Sequence, residues 1–375
     1  MKILFTGGGT GGHFYPLIAI AEKLRVLIKR EKLIDVQMYY MSDDPFDERL
    51  LFENGITFKE LKSGKMRRYV SVLNIIDIFK TIGATFKAIF KVYSLYPDVV
   101  VSKGGGASFP VLFAARLLRI PVIIHESDSV PGRTNKWASK FAKKIAISYP
   151  QAAQYFPAEK TALTGQPIRE EVLNPLREGA YELLKLEEGI PTILVLGGSQ
   201  GAQALNEAML QIVPTLVKEY QVIHQVGEQN VDLMKKMAGV VLEDSEHSAR
   251  YRVFPYLNDT SLRMAGGIAD LVVSRAGSTI FEIAAWGIPS IIIPLPNSAG
   301  NHQRKNAFSY ARAGAATVIE ERNLTPNILA AAIDGLMKNP EERESMSSAA
   351  KEFSSTDAAE KIAEQVVQVL ISHQK

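Results

Sequence analysis

An α/β protein built from two nucleotide-binding halves is the fold class this sequence predicts, and two observations predict it. Short β-rich apolar runs alternate with helical patterns along the whole chain, the order that yields parallel sheets joined by right-handed crossovers. The same opening also occurs twice. Lys2–Thr6 runs into Gly7-Gly8-Gly9-Thr10-Gly11-Gly12, and Pro191–Leu196 runs into Gly197-Gly198-Ser199-Gln200-Gly201-Ala202. Strand, glycine-rich turn and helix, in that order, are how a nucleotide-binding half begins. At 375 residues the chain outgrows one ordinary core, so two domains are expected rather than one continuous sheet.

The elements follow in order. Lys2–Thr6 reads as a buried strand, with a helix from about Pro16 to Ile28 after the glycine run. A basic, greasy stretch from Leu61 to Tyr69 leads into a helical pattern over Ile75–Tyr93, where Phe79, Ile82, Phe86, Ile89, Phe90 and Tyr93 form one stripe among Lys80, Lys87 and Lys91. The default meaning of that stripe is a core-facing helix; the lysines allow a surface resting on anionic lipid headgroups instead. Asp98-Val99-Val100-Val101-Ser102-Lys103-Gly104-Gly105 has an echo in Asp270-Leu271-Val272-Val273-Ser274-Arg275-Ala276-Gly277, and in both places a helix and a Pro-led strand follow, Pro121–Ile124 and Pro289–Ile293. One strand–loop–helix–strand unit per half points to duplicated architecture. The prolines at 150, 157, 167 and 175 place the boundary within 150–190. A helix from about Ala204 opens the second half, Thr279–Trp286 is stopped by Gly287, and an amphipathic helix of about Thr356–Ile371 ends the chain. The expected domains are residues 1–160, residues 161–355, and a C-terminal helix in 356–375 that packs back, the first domain being the candidate. Ligands of parallel sheets bind beyond the carboxyl ends of the strands, so the glycine loops are expected to line one cleft.

Composition narrows the chemistry. Hydrophobic residues make up 46% and charged residues 22%, a folded soluble balance, and there is no cysteine, which removes disulfides, thiolate metal sites and thiol nucleophiles. The few apolar residues before Gly7 are too short for a secretory signal, and no uncharged apolar run is long enough to span a bilayer. Residues 1–160 carry 24 Lys and Arg against 14 Asp and Glu, whereas residues 161–375 carry 19 against 26. A basic first half suggests an anionic partner, whether nucleic acid, acidic lipid or a phosphorylated substrate; the plain alternative is chance scatter of surface lysines. Neither interleaved aromatic strands nor a reading helix favours nucleic acid.

Five of the six residues at 7–12 are glycine, which bares backbone amides to a ligand ahead of a helix N-terminus, so a phosphate or a bulky sugar fits against Thr10, Gly11 and Gly12. The Gly-Lys-Ser/Thr of a P-loop is missing. His13 stands at the mouth of this loop, ahead of the helix, where an imidazole with an ordinary pKa near 6.5 suits a general base; a capping or loop-ordering histidine is an equal reading. Gly198, Ser199, Gln200 and Gly201 form a diphosphate cradle without an Asp-x-Asp pair beside them, so amides and hydroxyls rather than a metal are expected to stabilise a departing diphosphate. Ser274 ends a strand, Gly277 turns the chain, and Glu282 falls near the start of the next helix, where a carboxylate takes both ribose hydroxyls or merely complements the helix dipole. Asn297, Asn301, His302, Gln303 and Asn306 are an amide-rich cluster suited to sugar hydroxyls. His125-Glu126-Ser127-Asp128 puts polar groups at a strand tip in the first half, where Glu126 or Asp128 orients an acceptor hydroxyl or serves as base if His13 does not.

These residues carry a family likeness. Gly7 to His13, Ser102-Lys103-Gly104-Gly105, His125-Glu126, Gly165-Gln166-Pro167-Ile168-Arg169, Gly197 to Ala202, and Ser274-Arg275-Ala276-Gly277 with Glu282, in order and almost end to end, resemble the bacterial MurG family of UDP-N-acetylglucosamine transferases. The resemblance implies two Rossmann-like domains facing across a cleft, the GT-B arrangement. It also implies inverting transfer of GlcNAc from UDP-GlcNAc to the C4 hydroxyl of the MurNAc in undecaprenyl-diphospho-MurNAc-pentapeptide, at the cytoplasmic face of the plasma membrane. By family pattern, Glu282 holds the ribose, Ser199 and its loop the diphosphate, Arg169 a phosphate, the backbone near Leu257 the uracil, and Gln303 with His302 the sugar. His13 is the candidate base. No metal and no bound cofactor are implied; UDP-GlcNAc is the donor substrate, and anionic membrane lipids and other cell-wall synthesis proteins are expected partners. Two positions depart from the pattern: His302 stands where a glutamine is expected, and Asp128 where an asparagine is. A transferase acting on diacylglycerol, a UDP-GlcNAc 2-epimerase and a non-catalytic cell-wall scaffold are the alternatives.

Overall fold

The structure is a computed structural model that describes residues 1–62, 72–198 and 201–373. By internal contacts the chain divides into two compact units, Met1–Arg169 with Ser355–Lys375, and Glu170–Ser354. The unit 1 elements in the N-terminal stretch are β1 (Lys2–Gly7), α1 (Gly11–Arg30), β2 (Gln37–Ser42), α2 (Glu48–Glu53), β3 (Ile56–Glu60), α3 (Val72–Leu95), β4 (Val99–Gly104), α4 (Phe109–Leu117), β5 (Val122–Glu126), α5 (Arg133–Ala138), β6 (Lys144–Ile147) and β7 (Thr161–Leu163). Its seven strands form one parallel sheet in the order β3-β2-β1-β4-β5-β6-β7. Because β7 pairs with β6, the segment just past residue 160 belongs to this sheet, and the chain leaves the unit only after Arg169.

Unit 2 runs through α6 (Glu170–Leu173), α7 (Ala180–Leu184), β8 (Thr192–Leu196), α8 (Gln203–Leu216), β9 (Gln221–Gln225), α9 (Val231–Val241), β10 (Tyr251–Phe254), α10 (Asp259–Ile268), β11 (Ala269–Ser274), α11 (Thr279–Trp286), β12 (Ser290–Ile292), α12 (His302–Arg312), β13 (Ala316–Val318), α13 (Pro326–Met337) and α14 (Pro340–Phe353). Its six strands are also all parallel, in the order β10-β9-β8-β11-β12-β13. The last helix, α15 (Ala358–His373), returns to unit 1 and packs on α1.

Strands buried on both faces need apolar residues at successive positions, and β1, β4 and β8 have them: Ile3, Leu4 and Phe5, Val99, Val100 and Val101, and Ile193, Leu194 and Val195 are at most 1% exposed. One face of the first sheet packs under α1 and α15, the other under α3 and α4. The sequence echo has an atomic counterpart. Asp98, just before β4, accepts from the Lys2 N–H that opens β1 at 2.6 Å; Asp270, at the start of β11, accepts from the Thr192 N–H that opens β8 at 2.8 Å. In each unit an aspartate thus supplies the acceptor that the first strand's leading amide needs.

Most predicted elements stand where expected, α11 with its Gly287 stop among them: Gly287 has φ +66°, and an added Cβ would meet the Lys351 side chain at 2.3 Å. Two readings are corrected. The first helix begins at Gly11, not near Pro16, because Pro16 still lies in its second turn, where a missing N–H costs a single hydrogen bond; His13 is therefore inside the first turn rather than ahead of it. The α3 stripe is not core-facing: Ile82, Phe86, Phe90 and Tyr93 are 47–72% exposed, and small residues, Ala84 and Ala88, with Val92, face the sheet. Ile89 alone of the described stripe packs partly against the core, and the side chain of Phe79 lies outside the described residues, as does most of Leu61–Tyr69.

Candidate functional site

In unit 1 the loops after β1, β4 and β5 meet at the carboxyl end of the sheet. The β1 and β4 loops approach backbone to backbone: a Cβ on Gly105, at φ +86°, would lie 3.3 Å from Gly8 N and 3.4 Å from the His13 ring Nε2. Nothing stands within 4 Å of the Cβ positions of Gly9 or Gly106, so the glycine backbone there is open. His13 Nδ1 and the Thr10 hydroxyl are hydrogen-bonded at 2.8 Å, which orients the ring and leaves Nε2 on the side of the β4 loop. Gly11 and Gly12 form the half-buried first turn of α1 beside it.

Beneath these loops lies a polar layer. Lys103 is 4% exposed, its ammonium donating to Ser127 Oγ, and burial lowers its pKa against the opposing pull of Glu126 and Asp128. Ser127 donates to Gln166 Oε1, which also accepts from Ser148, and Ser148 bonds the His125 ring at 3.2 Å. His125 Nε2 further meets the Gly165 carbonyl at 3.0 Å, so Nε2 is the protonated nitrogen. Burial first and Lys103 second hold its pKa well below 6.5, leaving the ring neutral. Glu126 spends both carboxylate oxygens on the loop: Oε1 accepts from Asp128 N–H, and Oε2 from Gly132 N–H and the Asn135 amide, each at 3.0 Å. Burial pushes its carboxyl pKa up, with Asp128 adding to the shift and Lys103 opposing it. A carboxylate so occupied shapes the loop that presents Asp128. Arg169, 5% exposed at the end of the unit, stacks its guanidinium 4.3 Å from the centre of the Tyr15 ring.

In unit 2 the loops after β8, β10, β11 and β12 occupy the corresponding end of the second sheet. Gly198 has φ +82° with nothing within 4 Å of its Cβ position, whereas a Cβ on Gly201, at φ +77°, would lie 2.3 Å from the Val226 carbonyl. The backbone is thus open at Gly198 and sealed at Gly201. Ser199 and Gln200 lie outside the described residues. Leu257, buried to 1%, has its N–H on Gln225 Oε1 at 3.0 Å. Ser274 closes β11 with its hydroxyl on the Leu196 carbonyl; Gly277 leaves the space beside it open, and Glu282 follows half-buried in the first turn of α11.

The amide cluster divides. Gln303 Oε1 accepts from Leu295 N–H at 3.0 Å, Asn301 takes a left-handed conformation that starts α12 at His302, and Asn297 is exposed. Asn306, 1% exposed, donates to the Ala276 carbonyl and ties α12 to the β11 loop as a structural residue. A cavity of about 280 Å³ opens beside the segment, lined by Pro294, Asn301, Arg304 and Glu320 among others. Among the described residues no three His, Asp or Glu side chains converge as metal ligands would. Sequence reading passed over Asn135, Ser148, Tyr15 and Gln225, and gave Gln166 no role of its own. Each acts by meeting a residue remote in the chain, and only Gln225, last in a strand that precedes a glycine, carried a local signal.

Comparison with known proteins sets this geometry in context. Residues 3–147 match the glycosyltransferase family 28 N-terminal domain, and residues 192–362 its C-terminal domain. A Lactiplantibacillus plantarum protein described as UDP-N-acetylglucosamine–N-acetylmuramyl-(pentapeptide) pyrophosphoryl-undecaprenol N-acetylglucosamine transferase is 36% identical over 364 residues, covering 96% of this chain and 98% of its own length. A Halothermothrix orenii protein of the same description is 37% identical over 94% of each chain. The crystal structure of Acinetobacter baumannii MurG superposes with a TM-score of 0.72 at 28% identity, covering 98% of this chain and 99% of that one.

Proposed function

The chain belongs to the MurG family of UDP-GlcNAc-dependent N-acetylglucosaminyltransferases, and on that premise we propose the division of labour that its two units support best. The fold is GT-B, two Rossmann-like domains, and the reaction is transfer of GlcNAc from UDP-GlcNAc to lipid I, giving lipid II in peptidoglycan synthesis. Unit 1 takes the acceptor. The open glycine backbone at Gly9 and Gly106, above the buried Lys103 cation, suits the diphosphate and sugar of a lipid-linked substrate. His13 Nε2 accepts the proton of the MurNAc C4 hydroxyl as that oxygen bonds to GlcNAc C1; the C1–O bond to the diphosphate breaks with inversion, and UDP departs carrying the electron pair. Glu126 positions the loop, and Asp128 orients the acceptor hydroxyl.

Unit 2 takes the donor. The loop at 197–202 receives the diphosphate on main-chain N–H groups, with Ser199 and Gln200 as its polar members, and stabilises the leaving charge. Glu282 accepts the ribose hydroxyls, the Leu257 segment flanks the uracil, and His302 and Gln303 meet the sugar. Arg169 adds a cation for phosphate. No resident cofactor enters this scheme. No helix among the described residues is long and apolar enough to cross a membrane. The exposed Phe86, Phe90 and Tyr93 beside exposed Lys87 suit a peripheral hold on anionic lipid at the cytoplasmic face.

The observation that carries this reading is the His13 ring, fixed at Nδ1 by Thr10 with Nε2 turned to the bare β4 loop. A UDP-release assay tests it. Release from UDP-GlcNAc should require undecaprenyl-diphospho-MurNAc-pentapeptide and fail with diacylglycerol; equal release without any acceptor would refute the assignment.

A further inference from the structure

Lys103, the next-to-last residue of β4, carries a charged side chain into a part of unit 1 that water scarcely reaches, for it is 4% exposed. Taking an ammonium out of water is costly unless opposite charge and a hydrogen-bond acceptor meet it. One stretch of chain at the end of β5 supplies both. The ammonium donates to the Ser127 hydroxyl, and the carboxylates on either side of that serine, Glu126 and Asp128, both act on the same cation. Ser127 donates its own proton to Gln166 Oε1 at 2.6 Å, which leaves its oxygen free to accept from Lys103. The two acids also act on each other. Asp128 adds to the upward push that burial gives the Glu126 carboxyl, and Lys103 opposes it. His125, the other titratable neighbour, is held neutral and brings no second positive charge.

We propose that Lys103 is a positioning residue of the acceptor site: its charge balances the Glu126–Asp128 pair, so that Glu126 keeps its grip on the loop and Asp128 meets the acceptor as a carboxylate. The inference rests on the placement of the acceptor in unit 1. Glu126 holds the Asp128 and Gly132 main-chain N–H groups and the Asn135 amide only while both its oxygens accept. Two neighbouring carboxylates without a cation relieve their repulsion by taking up a proton. On Glu126 that proton turns an acceptor oxygen into a donor and sets it against an N–H. On Asp128 it removes the charge that orients the acceptor hydroxyl. Either way the loop no longer presents the same group.

Steady-state kinetics of the full chain with UDP-GlcNAc and the lipid-linked acceptor test this through a double-mutant cycle. Lys103→Met keeps an unbranched stem and removes the charge. It should lower kcat by about tenfold to a hundredfold, the scale of a misplaced reacting group, and leave the KM for UDP-GlcNAc within a few-fold. Asp128→Asn should lower kcat too, since it removes the orienting carboxylate. Independent losses multiply. If Lys103 acts through Asp128, the double variant should lose no more than the deeper single one. Its melting temperature should also recover part of what Lys103→Met costs, because the repulsion the cation offset is gone. A lysine that serves packing alone, or that only attracts the acceptor's diphosphate, gains nothing from Asp128→Asn. Multiplied losses in the double variant therefore overturn the proposal, as does an unchanged kcat in Lys103→Met. Should Lys103→Met fail to fold, melting decides: a double variant that folds upholds the pairing, and one that does not overturns it. Asp128→Asn alone separates the two levels of the reading. If it is impaired and the losses multiply, only the role of Lys103 fails; if it keeps full kcat, the orienting role of Asp128 fails and takes the proposal with it.

Discussion

The base role proposed for His13 depends on Thr10 three residues earlier, whose hydroxyl meets Nδ1 at 2.8 Å and fixes the direction in which Nε2 faces. A base needs that orientation more than it needs donor affinity, so His13→Ala should lower kcat by about 10²–10⁴-fold, the range for one general base, while the KM for UDP-GlcNAc stays within a few-fold. Steady-state kinetics with lipid-linked acceptor checks this, and unchanged kcat removes His13 from the chemistry. The histidine itself was legible from the sequence because glycine loops announce themselves. Its ring contact was not, nor was the part played by Glu126, which in sequence looks as good a base as Asp128. Three donors at 3.0 Å, two of them main-chain amides and one from Asn135 nine residues on, occupy its carboxylate. No spacing rule for side chains records where a loop's main-chain amides point.

At the scale of elements, hydropathy patterning found the central strands β1, β4, β5, β8, β11 and β12 but not the outer ones, and it misread which way α3 faces. A stripe of large apolar residues at helical spacing normally seeks the core. Here the opposite face carries Ala84, Ala88 and Val92, small enough for α3 to lie close on its neighbours, and the large side chains are left outside. Such a stripe beside Lys87 is expected to bind membranes: Phe86→Glu with Phe90→Glu should abolish co-sedimentation with anionic vesicles while UDP affinity is retained, and unaltered sedimentation would return the stripe to ordinary surface. A second element-level device joins β9, β10 and α8. Asn206 donates its amide to the Val226 carbonyl, so its oxygen faces His224 and makes Nε2 the N–H; Nδ1 then accepts from Tyr251 at 2.8 Å. Burial lowers the His224 pKa to about 3. In the unfolded chain the imidazole protonates near pH 6.5, so the stability it contributes is full above that pH and drains away as pH falls toward 3, by about 5 kcal/mol in all. Melting temperature measured from pH 7 to pH 4 should fall, and His224→Gln should flatten part of that slope; an equal slope in both proteins would contradict the linkage.

For the whole molecule, the chain's return to unit 1 decides how its stability is distributed. Two parallel sheets with an internal echo were readable in advance because Asp98 and Asp270 open matching apolar runs; the structure adds that each accepts from the leading amide of the first strand in its own unit. Where the last helix lands was not readable, since an amphipathic face fits any apolar surface of the right width. It lands on α1, where Ile362, Val366, Val367, Val369 and Leu370 are at most 6% exposed and join the cluster that holds Leu17 and Leu24. Burying five such side chains contributes up to about 10 kcal/mol at roughly 2 kcal/mol each, as much as the whole net stability of an ordinary domain. Unit 1 therefore takes part of its core from α15, whereas among the described residues the unit 2 clusters around Ile193 and Ile280 contain none of its side chains. Ending the chain after Ser354 should leave unit 2 folded, with UDP affinity close to that of the intact protein, and unit 1 without a cooperative melting transition. The milder Leu370→Ala should cost about 2–5 kcal/mol and lower only the transition assigned to unit 1. Differential scanning calorimetry with and without UDP distinguishes the two units, because the nucleotide raises the melting temperature of the one that binds it. If the shortened chain keeps both transitions unchanged, α15 is a dispensable appendage and the core of unit 1 closes without it.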